Sequence, residues 1–496
     1  MQLRYNSELL IALGLFAFAL IVRVFMLAAY PFDGLYGQDP YAYYDYAVSL
    51  RAALSQGQSP PSFFWPLGYP LHVVAASWIV GVQPLAGQLV SLIAGALIAP
   101  LTFALAREAM LRIDVQRARQ AGVIAGLIVA TAGQLMISSL SVMSDTVGLA
   151  WATGSAWLTL HYARTLRPGI LALASLTLSI AVVTRWASGL LALPWVACIL
   201  LAWRRYWSSI GWRRAFALSL IAVAVGGVIV GAQLLSGESH TGDLQVVGWD
   251  PTNAFRSRVV NSDGAFQYDL PIGLFYLIRP LFHPSFVFPL FAPLWLVGLW
   301  SLSRADSPAR ALLIGWPLVV YGFLAGIAWQ SDRFILTLFP ALAVWVGLGF
   351  AWVGDFRRPA LVVFLVVALI GTFVWSLRVV GDFIHRNKNA DLARVQHVAA
   401  LLPPGTRVIT FGVTLTLEHY SDLDVTEIYS ETLESLPDRV CGPDAEYLYL
   451  DVANIERQWS GLAPEVNYRW LRDGPGLEAI DWFEGYTLFE VGNNCS

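Results

Sequence analysis

Apolar residues in this chain come in long uninterrupted blocks. They do not alternate with polar residues or recur every third and fourth position, so the segments are apolar on every side. Most blocks approach the roughly 20 residues that carry a helix across a bilayer. Eleven such spans are predicted, at about 8–30, 84–106, 121–140, 145–163, 169–184, 186–203, 215–235, 284–302, 311–329, 334–353 and 359–378. The pair 169–184 and 186–203 is one run interrupted at Thr184-Arg185-Trp186. An arginine at mid-bilayer depth is costly, so this interruption marks a membrane face or a wet cavity. The block 69–82 is too short to span and reads as an interfacial or re-entrant helix. Leu9–Leu27 is long for a signal peptide, contains Arg23 and lacks a cleavage site. It reads as a retained first span, with Arg23 snorkelling to the interface.

The pattern changes after residue 378. Short alternating runs at 407–411, 446–451 and 486–491 read as strands, and 390–402 as a helix stopped by Pro403-Pro404-Gly405. The predicted class is therefore an all-α polytopic membrane domain of about eleven transmembrane helices, residues 1–378, followed by a small α/β domain, residues 379–496. The tail is long enough to fold alone.

Composition sharpens this picture. The chain is 57% hydrophobic and 13% charged, about half the charged share of an average soluble protein. Arginines gather in alternate loops: Arg107 to Arg119, Arg164 and Arg167, Arg204 to Arg214, Arg304 and Arg310, then Arg357 and Arg358. Positive loops face the cytoplasm. The N-terminus is then cytoplasmic and, with an odd number of spans, the C-terminal domain is extracytoplasmic, in a plasma (inner) membrane. The loops 31–83 and 236–283 fall on that outer side too. A net charge of −3 gives no basis for nucleic-acid binding. Lys388 is the sole lysine. Three cysteines make neither a metal cluster nor a disulfide scaffold. Cys198 lies in an apolar block and reads as inert, whereas Cys441 and Cys495 would lie outside, where they can oxidise to a disulfide.

The first outer loop is longer and more aromatic than a connection needs. It carries Tyr36, Asp39-Pro40, a Tyr-rich helix with Tyr43, and then Trp65-Pro66-Leu67-Gly68-Tyr69-Pro70 and His72. Asp39-Pro40 is an ordinary helix start, and tyrosines are ordinary at membrane interfaces. The same residues could equally line a site. Glu238, His240 and Asp243 are donors that a divalent cation could use, but their spacing is no recognised metal motif.

This ordered set resembles the GT-C superfamily of polyprenyl-phosphate-sugar-dependent glycosyltransferases, especially the branch of protein mannosyltransferases and aminoarabinose transferases. The resemblance runs over about residues 8–350. It rests on Asp39 in a long first outer loop, the Pro66-Leu-Gly-Tyr-Pro70 block, Met143-Ser-Asp145 opening a span, Thr184-Arg185 between two spans, and Asp332-Arg333-Phe334 with Pro340. The family often has Asp-Glu where this chain has Asp39-Pro40, and the Trp65-Pro66-Leu67-Gly68 block lacks one of its prolines.

The resemblance implies a GT-C fold and an inverting transfer of a sugar from a polyprenyl-phosphate donor to an acceptor hydroxyl. The acceptor class is a glycolipid, a polysaccharide or a protein. Asp39 is implied as general base, with Asp145 helping to build the site through a metal or by orienting Arg185. Arg185 and Arg333 are implied as donor-phosphate ligands, and Arg256, Arg258 and Arg279 are candidates for that role by position. Tyr36, Tyr43, Trp65, Tyr69 and His72 would line the cavity for donor and acceptor. No cofactor is required by the residues, and a divalent cation stays open. Two other classes remain: a transporter or lipid flippase, and a non-catalytic assembly protein that uses the outer tail. The first needs charges along a path through the bilayer, whereas here the candidate residues gather at one face.

Overall fold

The computed structural model describes residues 2–236, 248–287, 289–354, 359–437 and 446–492. Glu238, His240, Asp243, Arg357, Arg358, Cys441 and Cys495 lie outside the described residues. The chain forms two compact units. The first comprises Met1–Gly34, Ala42–Phe255 and Ile272–Gly381; the second comprises Leu35–Tyr41, Arg256–Pro271 and Asp382–Ser496.

The first unit is built of helices, and the apolar blocks of the sequence lie largely in them. Among the described residues, seven helices are long and apolar enough to cross a membrane: Ser7–Ala29, Pro84–Met110, Trp186–Arg205, Ile210–Leu234, Ser307–Gly326, Asp332–Val353 and Pro359–Leu401. The pair Ala118–Thr131 and Gly133–Leu140, bent by 58°, makes an eighth if counted as one broken span. The remaining blocks are the shorter helices Pro168–Thr184 and Pro289–Ser303, and the more polar helix Asp145–Thr165. The protein is a multi-pass membrane protein. Gly68–Val80 is a helix of 13 residues, too short to span.

Arg23 does not snorkel. It is fully buried and serves the break in the bent pair. Its Nε donates to Ser139 Oγ (3.0 Å) and its Nη1 to the carbonyls of Ala19 (2.9 Å) and Ala130 (3.3 Å). The break frees backbone groups that a continuous helix would pair. Ala130 O is met by Arg23, Thr131 O by Ser376 Oγ (2.8 Å), and the Gln134 N–H donates to Ser285 O (3.1 Å). Without water, each such group needs a protein partner.

The arginine-bearing loops of this unit are tied by carboxylates. Glu8 pairs with Arg107 (2.6 Å), buried Glu108 with Arg164 (2.6 Å), and Asp306 with Arg112 and Arg205. Asp306 also caps the helix Ser307–Gly326, accepting from the Ala309 N–H.

In the second unit, β1 (Arg258–Asn261) and β2 (Gly264–Gln267) form an antiparallel hairpin. The other strands are β3 (Arg407–Thr410), β4 (Asp424–Glu427), β5 (Glu446–Leu450), β6 (Leu477–Phe483) and β7 (Tyr486–Val491). They make a mixed sheet in the order β4-β3-β5-β7-β6, parallel across β4-β3-β5 and antiparallel across β5-β7-β6. Alternation along β5 explains its two cores. Leu448 and Leu450 face one way, with Ile455 and Leu471 of the helices Val452–Gln458 and Ala463–Asp473. Tyr449 faces the other way, with Val395, Val398 and Leu417 of Ala390–Leu401 and Thr414–Tyr420. The predicted strands at 407–411, 446–451 and 486–491 and the helix at 390–402 are present; β4, β6 and the hairpin were not predicted.

Candidate active site

The first unit's charged cluster grows from a helix start. Ser144 and Asp145 open the helix Asp145–Thr165, but neither acts as a side-chain cap there. Ser144 Oγ instead shares a hydrogen bond with Tyr43 Oη (3.0 Å). The Asp145 carboxylate is buried and takes an arginine on each oxygen. Arg185 Nη1 lies 2.7 Å from Oδ1, and Arg333 Nε lies 2.9 Å from Oδ2. The helix N-terminus adds a favourable dipole for the carboxylate.

Both arginines sit where regular helix stops. Arg185 follows the last residue of Pro168–Thr184 and is extended (φ −154°, ψ 113°) before the tight turn Trp186–Leu191. Two glycines allow this packing. A Cβ on Gly148 would press on the Arg185 side chain, and one on Gly68 would overlap Thr184 and the Val183 carbonyl. Arg333 lies in the single turn Asp332–Ile335, ahead of the long helix Phe339–Val353. Its neighbour Asp332 takes Arg279 in a two-point pair, Nε to Oδ1 and Nη2 to Oδ2, both 2.8 Å. Arg279, Asp332, Arg333, Asp145 and Arg185 thus form one linked array. Three guanidiniums and two carboxylates are gathered within a short stretch of the first unit. A narrow pocket adjoins the array, lined by the polar Asp145, Arg185, Ser188 and Thr337 and by apolar residues that include Leu149 and Trp316.

The aromatic residues from the first loop pack beside one another. Tyr43 stacks on Trp65 (4.9 Å between ring centroids) and meets Tyr69 edge-on (5.2 Å). Tyr69 is fully buried, with its hydroxyl at 3.1 Å from both Gly87 O and Ser91 Oγ. Ser91 and Thr146 link the same region: Ser91 Oγ donates to Met143 O (3.1 Å) and Thr146 Oγ1 to Ser91 O (3.0 Å). His72 Nε2 accepts from the Trp151 indole N–H (3.2 Å), which leaves its proton on Nδ1, donated to Gly68 O (2.6 Å).

Tyr36, Asp39, Arg256 and Arg258 belong to the second unit. Asp39 is half-buried and is the first residue of the helix Asp39–Ser55. Tyr36 meets Phe383 edge-on (4.8 Å). Arg256 and Arg258 are exposed, and Arg258 Nε donates to Gln267 Oε1 across the hairpin (3.1 Å). The sequence reading singled out Asp332 only as part of a motif; its place beside Arg333 was the available signal for its pairing role. Ser144 stood out only within the Met143-Ser-Asp145 motif, and Trp151 and Trp316 carried no signal. Among the described residues, no group of three or more His, Cys, Asp or Glu side chains is arranged to hold a metal ion.

No family model matches the sequence, and no curated protein matches it. Solved structures do. The chain is similar to ArnT from Cupriavidus metallidurans bound to undecaprenyl phosphate, at 12% identity and a TM-score of 0.63, over 96% of this chain and 97% of that one. It is also similar to the oligosaccharyltransferase AglB from Archaeoglobus fulgidus, in complex with an inhibitory peptide and a dolichol-phosphate. That match has 12% identity and a TM-score of 0.58, over 92% of this chain and 70% of that one. The chain has the GT-C fold. Within this GT-C fold, Asp145 and Arg164 stand at opposite ends of one helix. At 1.5 Å per residue they are about 30 Å apart, one bilayer core. The linked array is therefore at the end of the first unit remote from the arginine-bearing loops.

Proposed function

We propose that this protein is an inverting membrane glycosyltransferase that moves a sugar from a polyprenyl-phosphate donor to an acceptor hydroxyl. The reaction would occur at the outer face of the plasma membrane. The observation that carries the reading is the array around Asp145, where arginines stand beside a pocket that is apolar over most of its lining. A lipid phosphate has this dual character, an anion joined to an apolar chain. The GT-C fold supports the same reading, since the similar ArnT and AglB structures hold undecaprenyl phosphate and a dolichol-phosphate.

In this account Arg185 and Arg333 neutralise the phosphate as negative charge grows on it. Asp145 is a positioning residue that aims both guanidiniums, and Asp332 holds Arg279 in the same array. Asp39 takes the proton of the acceptor hydroxyl as its oxygen attacks the anomeric carbon. The bond from that carbon to the phosphate oxygen breaks on the opposite side, the electron pair leaves with the lipid phosphate, and configuration inverts. No second catalytic carboxylate is required, in contrast with glycosidases. Tyr43, Trp65 and Tyr69 supply aromatic surface for the sugar or acceptor. The arginine-bearing loops support a cytoplasmic N-terminus and an extracytoplasmic second unit.

The test is a transfer assay on purified protein with polyprenyl-phosphate-linked sugars and glycolipid, polysaccharide or peptide acceptors, reading the anomeric configuration of the product. Wild type should transfer with inversion, and Asp39→Asn should lose at least 100-fold in kcat. Equal transfer by the two proteins would sink the role of Asp39. A product of retained configuration would sink the single displacement.

A further inference from the structure

We propose that Lys388 is a positioning residue that clamps the segment carrying Asp39. The inference rests on Asp39 acting as the base, as set out above. Lys388 is the one lysine among 31 basic residues, and it is 5% exposed. It lies in a single π turn, His385–Asn389, at the entry to Ala390–Leu401. An extra residue of this kind in a helix is rare and recurs at functional sites. The turn leaves the ammonium among aromatic rings. Nζ donates to Tyr420 Oη (2.5 Å), lies 4.2 Å from the Tyr420 ring centroid and 5.8 Å from that of Tyr41.

Tyr41 is two residues beyond Asp39 and fully buried, and the His419 ring lies 5.6 Å from its own. The rest of the segment is held from the same unit. Tyr36 packs on Phe383, and Gln38 Nε2 donates to Glu427 Oε1 (3.4 Å). Tyr36, Gln38 and Tyr41, on either side of Asp39, thus each meet a residue after 382. A compact ammonium with three rotatable donors can meet the Tyr420 hydroxyl and still lie close to the Tyr41 ring; the planar guanidinium fork used elsewhere in the chain is less suited to that. A base displaced by about 1 Å can lose 10²-fold in rate, so a clamp on this segment acts on kcat more than on donor KM.

Hydrogen–deuterium exchange of the full-length protein in detergent tests the clamp directly. In Lys388→Met, peptides covering residues 35–41 should exchange at least fivefold faster, while β3 and β5 stay as in the wild type. In Lys388→Arg they should fall between the two. Transfer by Lys388→Met should drop about tenfold in kcat with donor KM unchanged. Unchanged exchange at 35–41 overturns the clamp. If Lys388→Met also loosens β3 and β5, Tyr420→Phe decides, because it keeps the ring and removes the hydroxyl. Faster exchange confined to 35–41 in that variant supports the clamp, and exchange like the wild type overturns it. Full transfer by Asp39→Asn would instead overturn the assignment of the base, and the exchange result would still judge Lys388.

Discussion

In the proposed site Asp145 would act by position and not by reacting. Each of its oxygens is committed to a different arginine. Asp145→Asn would leave two guanidiniums facing a neutral amide. Removing one partner of a buried pair costs about 3–5 kcal/mol. Arg185 and Arg333 keep 16% and 23% of their side-chain surface exposed, so solvent trims the loss to about 2–3 kcal/mol. Thermal unfolding in detergent should register it as a lowered midpoint, and an unchanged midpoint would contradict the pairing. Glu427 offers a pH test in the second unit. Burial holds its carboxyl above the ordinary value, so the folded state favours the protonated form. Its contribution is most favourable below about pH 4.3, the unfolded value, and is lost as pH rises through the folded value. Glu427→Gln should therefore show a smaller fall in stability between pH 4 and pH 7 than the wild type. Arg185 and Arg333 were legible because a charge interrupting an apolar run is costly and calls for a reason. Arg23 interrupts a run in the same way and was misread. Its partners Ser139 and Ala130 lie more than 100 positions away, as the separations of 116 and 107 record, and no local pattern points to them.

At the level of elements, the broken span at Ala132 depends on partners from other helices. Arg23→Met would orphan the buried Ala130 carbonyl, at a cost of about 1–3 kcal/mol. Ser376→Ala would orphan Thr131 O in the same way, at about 1–3 kcal/mol, whereas Arg23→Met also loses the bonds to Ser139 and Ala19. The two effects should be separable in a denaturation series, Arg23→Met being the larger. The helices Ala292–Ser303 and Phe339–Val353 approach so closely that a Cβ on Gly298 would collide with the Trp345 carbonyl, and one on Gly349 with the Leu294 carbonyl. Small residues let membrane helices pack in this way. Gly298→Val should destabilise the fold by about 1–3 kcal/mol through overpacking, again read from the unfolding midpoint. The helices themselves were legible from hydropathy, because the bilayer forces backbone pairing within each segment. The strands β4 and β6 were not. Asp424–Glu427 has one apolar residue, Val425, between charged ends, and β6 carries a bulge between Ala479 and Asp481, which breaks its alternation.

For the molecule as a whole, the sequence located a membrane part and a C-terminal α/β part. It did not reveal that Leu35–Tyr41 and Arg256–Pro271 join the C-terminal unit. These segments are short, and the contacts that gather them span hundreds of positions, such as Gln38 with Glu427 and Gln458 with Asp263. Topology is open to a direct check. Single cysteines placed at exposed Ser262 and Asp473 should react with a membrane-impermeant maleimide in intact cells, whereas one at Arg119 should react only after lysis. The central claim is that the array around Asp145 receives a lipid phosphate, and equilibrium binding of undecaprenyl phosphate tests it most directly, with undecaprenol as the control that lacks the anion. The account predicts tight binding of the phosphate by the wild type, weak binding of the alcohol, and at least a 30-fold loss of phosphate affinity in the Arg185→Met, Arg333→Met double variant. Equal affinity for phosphate and alcohol, or unchanged phosphate affinity in the double variant, would contradict it.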